Sequence, residues 1–297
     1  MMKCIRFVVP VALLIGAGTA TLQAQSSRGR NDSVFVWSAR IGGGGTLTVK
    51  NIVGGITVTE SNSDRVEVRA EKRMRGRGDP NDITFDVQES SNGASICTVY
   101  RGESACEDGN FSNTRFTVRY TIAMPPGLRL RASTGNGELS VEKAGNEVEL
   151  STGNGGIHIG QTEGRVTAST GNGDLEIESA RGPVRASSGN GRIFVSTSAG
   201  PVSATTGNGD IDVRMQSLSS SGDMNFVSGS GAVRVTLPSD FNGDVDASTS
   251  NGDLRTDFAI KLVGRLDPQH MRGTIGSGGR TIHLQTGNGR LEIRKGS

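Results

Sequence analysis

The chain has 297 residues, of which 44 are glycine and only 4% are aromatic, and its formal net charge is +2. Lys3 and Arg6 are the only charges in the first 24 residues; without that segment the balance falls to zero, which removes any general attraction to nucleic acid or to an anionic membrane surface. Glycine-rich chains with few aromatics are often disordered, but here the glycines recur at fixed spacing beside alternating aliphatics, which marks order.

Residues 1–24 read as a secretory signal peptide. Lys3 and Arg6 lead an apolar run over 7–17, and small residues follow, with Ala24 or Ala20 as the cleavage position. The run is too short to cross the about 30 Å of a bilayer's hydrocarbon core. The protein is therefore expected to be exported to the periplasm, the outer surface or the medium, and not to span a membrane afterwards. Cys4 precedes the apolar run and leaves with it. Residues 25–33 are polar and read as a flexible linker.

Strand-like runs follow at 34–41, 46–49, 56–59 and 66–70, with glycine turns at 42–45 and 54–55. The stretch 71–80 holds Lys72, Arg73, Arg75 and Arg77 and reads as a solvated hairpin loop; the sharper reading is contact with phosphate or acidic sugars of an envelope polymer. Cys97 and Cys106 are the cysteines left after export. An even pair at short range in an oxidising compartment predicts a disulfide, and the spacing does not suit a CxxC-like redox or metal site. Alternation over 115–124 (Phe116, Val118, Tyr120, Ile122) predicts a long strand, closed by Pro125-Pro126-Gly127 and leading into the following repeats. Residues 34–131 are assigned to an N-terminal β region with degenerate first coils, whose task is to hide an open strand edge.

Residues 132–297 open on a motif repeated without slippage every 18 residues. It reads Ser133-Thr134-Gly135-Asn136-Gly137, then Ser151-Thr152-Gly153-Asn154-Gly155, Ser169-Thr170-Gly171-Asn172-Gly173, Ser187-Ser188-Gly189-Asn190-Gly191 and Thr205-Thr206-Gly207-Asn208-Gly209. Aliphatics stand two and four places after the second glycine, as in Leu175/Ile177 and Ile193/Val195. A second pair follows, as in Val166/Ala168 and Val184/Ala186. Period 2 in both runs gives two strands and two turns per repeat. The second turn holds Gly164, Gly182 and Gly200, with Asn146 at the same place in the first repeat, an exchange that predicts a left-handed backbone site. A few aliphatics, each contributing about 1.5–3 kcal/mol when buried, cannot offset about 1–2 kcal/mol of backbone entropy per residue. The coils must therefore stack. The expected fold is an all-β solenoid, roll-like, with two strands per 18-residue coil, and right-handed by the crossover rule. After residue 213 the repeats continue at looser spacing, with extra residues looping out on one face, and 255–297 read as the last coils and the far cap.

Candidate chemistry is sparse. The residue after the second glycine varies from Asp174 and Asp210 to Gly156, Arg192 and Arg290, which no stacked calcium site tolerates. Acidic sets such as Asp174, Glu176 and Glu178, or Asp210 and Asp212, fall on one outward face at distances compatible with glycosidases, as any exposed acidic ladder does. His158, His270 and His283 are scattered in sequence and show no metal spacing. The inward Thr152, Thr170, Ser188 and Thr206 are expected to satisfy turn backbone groups, and Asn136, Asn154, Asn172, Asn190 and Asn208 to stack as an amide ladder. No catalytic, cofactor or metal residue is assigned.

With these motifs laid out, the chain resembles the DUF4097 family of putative adhesins, related to DUF2807-type head domains. The resemblance rests on residues 47–58, on 118–126 ending in a proline turn, on the Thr-Gly-Asn-Gly repeats and on 273–279 ahead of 282–293. It implies a β-solenoid in exported or envelope-associated bacterial proteins and supplies no catalytic residues. The reading is a non-enzymatic adhesin or envelope scaffold whose partner is an envelope polymer, a glycan or a surface protein, with Glu176, Phe194 and Asp212 on the candidate binding face. The alternative is a polysaccharide-binding or polysaccharide-cleaving β-helix. A third reading is self-association through an uncapped end coil.

Overall fold

The computed structural model describes residues 33–74, 79–106, 115–218, 222–264 and 267–296; the signal peptide and all but the last residue of the linker lie outside them. Among the described residues the protein is all β, with 26 strands in two open sheets of 12 and 14 strands. Each coil gives one strand to each sheet. In the regular part the strands are parallel and pair at the 18-residue offset. The first sheet stacks Ile157, Leu175, Ile193 and Ile211 in register. The second stacks Val148, Val166, Val184 and Val202. This is the two-strand coil that the alternation predicts.

Alternation also sets what is inside. Leu175 and Ile177 are buried, Glu176 and Glu178 exposed. The facing Val166, Ala168 and Thr170 are buried in turn. The interior of the middle coils is a thin layer of small aliphatics. Aromatic rings gather where stacking ends. Phe35 lies on Phe85 with centroids 4.5 Å apart, and Tyr100 meets Phe116 at 4.7 Å. At the other end Phe241 meets Phe258 edge-on at 6.2 Å. A ring seals the space that a further coil would otherwise fill.

The two turns of a coil are built differently. The second glycine of each Gly-Asn-Gly has φ of 144–159° from Gly137 to Gly209, which only glycine adopts without strain. Gly164, Gly182 and Gly200 are not at positive φ, contrary to the expectation of a left-handed site. Their reason is space. A Cβ on Gly182 would strike the carbonyl of Gly164, and one on Gly200 the carbonyl of Gly182. Asn146 takes the place at the start of that row, where its amide donates to Gly127 O at 3.1 Å.

The ends depart from sequence order. Strands Thr46–Val53 and Ile56–Glu60 make a full coil that lies directly against the 129–144 coil. Strands Gly93–Tyr100 and Phe116–Met124 form a coil on its other side. Phe116–Met124 leads through the proline turn into Arg129–Asn136, but it does not pair with that coil; the chain leaves it and returns two places further on. Antiparallel strands close this end: Val34–Ala39 and Val66–Met74 on the first sheet, Ile83–Ser90 on the second. The far end repeats the device. Strands Thr281–Asn288 and Leu291–Lys295 are threaded between the 224–237 and 243–256 coils. The last strands of the sequence are thus interior, and the far cap is the antiparallel pair His270–Ile275 and Ile260–Leu262. Among the described residues ten coils stack, and one continuous core runs through them, across residue 131.

Candidate functional site

Stacking turns equivalent positions of the repeat into rows. Along the outer face of the first sheet one row reads His158, Glu176, Phe194, Asp212, Arg234, Glu292, Arg255. Glu176, Phe194 and Asp212 are direct neighbours in it. Phe194 is half-buried, with the Arg214 guanidinium 5.2 Å over its ring.

Beyond Phe194 the row is charge-paired. Asp212 meets Arg214 at 3.5 Å and Arg234 at 3.3 Å. Glu292, whose side chain is 8% exposed, meets Arg234 at 2.9 Å, Arg294 at 2.7 Å and Arg290 at 3.4 Å. The hydrogen bond from Arg234 holds the Glu292 carboxyl below its usual range against the opposing effect of burial. On the second sheet Arg272 and His270 both reach Asp246, and Arg272 foremost lowers its pKa.

The acids of the turns are structural. Asp174 Oδ1 accepts the backbone N–H of Arg192 at 2.7 Å, and Asp210 Oδ1 that of Ala232 at 2.8 Å. An acid at this position therefore ties its own turn to the next coil.

The inward hydroxyls and the asparagines do the same at the other positions of the turn. Thr152, Thr170, Ser188 and Thr206 donate to Gly137, Gly155, Gly173 and Gly191 carbonyls at 2.9–3.0 Å. Each asparagine amide donates to the carbonyl oxygen of the one before it: Asn154 to Asn136, Asn172 to Asn154, Asn190 to Asn172 and Asn208 to Asn190, at 2.7–2.9 Å. Ser230 interrupts the row, and Asn251 with Asn288 resumes it at 2.9 Å. These asparagines are exposed, so water replaces lost bonds. Asn172→Leu is accordingly expected to lower stability by only about 1 kcal/mol, read as a small drop in melting temperature with surface binding unchanged.

Cys97 and Cys106 are joined in a disulfide, with Cα atoms 5.6 Å apart. In the basic stretch, Lys72 donates to Ile83 O at 2.7 Å and lies 5.4 Å from the Phe85 ring centroid, and Arg73 reaches Glu71 at 3.7 Å. Arg75 and Arg77 lie outside the described residues. The extra residues of the looser repeats do share one edge. Loop 238–242, residues 216–218 and Arg280 border a cavity of about 480 Å³, where Arg280 Nη1 is buried without a hydrogen-bond partner.

The sequence reading missed one grouping. His158 lies 18 residues from Glu176 and 20 from Glu178, and the coil repeat brings all three together. Nδ1 is 3.5 Å from Glu176 Oε2, and Nε2 is 3.7 Å from Glu178 Oε1. The signal was present: a separation equal to the repeat length means adjacency in a solenoid.

Two stacked sheets, glycine-tipped coils and hydrogen-bonded rows of turn side chains define a two-sheet β-solenoid. The chain belongs to the Toastrack DUF4097 family, whose pattern matches residues 47–294. No curated protein matches it. Solved structures that are similar include a putative adhesin from Bacteroides fragilis, 12% identical, with a TM-score of 0.43 and coverage of 90% of this chain and 98% of that one. Others are a putative adhesin from Parabacteroides merdae (11%, 0.36, 90% and 98%) and a putative cell adhesion protein from Clostridium sporogenes (11%, 0.33, 89% and 99%).

Proposed function

We propose that this protein is a non-catalytic, exported adhesin-like scaffold that binds an envelope polymer, a glycan or a surface protein along the outer face of its first sheet. The observation that carries the reading is the run Glu176, Phe194, Asp212 on successive coils of a rigid, parallel-stacked surface. An aromatic ring between carboxylates, with a guanidinium beside it, offers a stacking surface and hydrogen-bonding groups to a sugar or peptide chain lying across the coils. Adhesion is also what the family resemblance implies. Export by residues 1–24 is part of the same proposal. No helix among the described residues is long and apolar enough to cross a membrane. Self-association is the less favoured mode, because antiparallel strands cover both sheets at one end and the second sheet at the other.

The test is binding of the purified protein to an array of bacterial envelope polymers and host glycans, with pull-down from a cell lysate alongside. Saturable binding to one polymer is expected, weakened at least about tenfold by Phe194→Ala with Asp212→Asn. Silence on the array, with a protein partner recovered in the pull-down that binds equally well to this variant, would replace adhesion by an assembly role.

A further inference from the structure

We propose that His158, Glu176 and Glu178 form a binding site for a zinc-class divalent cation on the outer face of the first sheet. The site does not depend on the adhesion reading. One ligand atom from each of the three residues lies within 4.8 Å of the others. Zinc bonds to imidazole nitrogen and carboxylate oxygen are about 2.0–2.2 Å long. An ion seated among the three therefore needs only small rotations of two glutamate side chains that are 56% and 55% exposed. The His158 side chain is 34% exposed, less than either glutamate. Gly160, next to Glu178 in the stack, brings no side chain and leaves the imidazole open toward that carboxylate. Three protein ligands leave one position for water.

Charge distribution separates this cluster from the rest of the row. Asp212 and Glu292 each have at least two arginines. On the second sheet Asp246, the partner of His270, is also paired with Arg272. Among the described residues, the ion pairs of Glu176 and Glu178 are with His158 alone. One imidazole cannot balance two carboxylates, and Glu142 beside Gly160 adds a further negative charge. A divalent ion balances the pair. Imidazole with carboxylates favours zinc over calcium or magnesium, which prefer an all-oxygen shell.

Titration of the purified protein with Zn²⁺ alone, at about pH 7.5, tests this by calorimetry. One equivalent is expected to bind and to raise the melting temperature. His158→Ala, and separately Glu176→Gln with Glu178→Gln, should weaken binding more than about tenfold, while His270→Ala and His283→Ala leave it unchanged. The glutamine variants preserve side-chain shape, so a folded protein remains to be measured. Absence of saturable uptake, uptake that survives His158→Ala, or uptake lost with His283→Ala would overturn the proposal. A silent polymer array leaves this measurement intact.

Discussion

Asn51→Leu is expected to destabilise the protein by about 3–5 kcal/mol, measured by denaturant unfolding. Asn51 stands where the next coil has Thr134, and it is buried. Its amide donates to Gly54 O at 3.0 Å and Val118 O at 2.8 Å; its carbonyl oxygen accepts from Ile52 N at 2.9 Å and Thr98 Oγ1 at 3.0 Å. Thr98 in turn meets the Tyr120 hydroxyl at 2.8 Å, and burial pushes that phenol far above its usual pKa. Thr134 also donates to Gly54 O, so that carbonyl keeps a partner in the variant. Ile52 N and Val118 O lose theirs, at about 1–3 kcal/mol for each buried group left unpaired. Thr170→Val, which removes one such bond in a later coil, should cost only about 1 kcal/mol. Equal losses for the two variants would mean that the Asn51 network contributes nothing beyond a single turn bond.

Gly173→Ala is expected to cost about 3 kcal/mol or more. Its φ is 151°, and an added Cβ would meet the Gly155 carbonyl of the neighbouring coil. Strained backbone and overpacking each cost about 1–3 kcal/mol, and here they coincide. Gly156→Ala, at the tip of the adjacent coil, is the control. The nearest atom to its added Cβ is Asp174 O at 3.4 Å, and its φ is not in the strained range. The alanine there should change stability by less than about 1 kcal/mol. Similar unfolding midpoints for the two variants would show that the coils shift to accept side chains at the tip.

The repeat itself was legible because it is local. Period 2, the 18-residue spacing and the Thr-Gly-Asn-Gly turns each state one coil completely, and stacking follows from its inability to bury itself alone. What the sequence hid was neighbour choice. Nothing in 281–295 says that it pairs with 224–237 and 243–256 rather than following them, since every coil offers the same edge geometry. Gly164 misled because an exchange of glycine and asparagine fits both a left-handed backbone and a row that is crowded everywhere except at its start. His158 looked isolated because distance was counted along the chain instead of modulo 18. Asn51 was silent because its partners, Thr98 and Val118, come from a coil that appears later in sequence but lies beside it.

The threading at both ends has a mechanical consequence. A load applied beyond Lys295 acts on Leu291–Lys295, which is bonded on both sides, to Val233–Leu237 and to Leu254–Thr256. At the opposite end the 46–60 coil is likewise gripped between the 93–124 and 129–144 coils. A solenoid whose outermost coil is also its terminal one can be peeled, breaking one ladder at a time. Here a pull on Leu291–Lys295 must shear two ladders together before that coil comes free, whereas a pull from the other terminus first peels the edge strand Val34–Ala39 and only then meets a coil held on both sides.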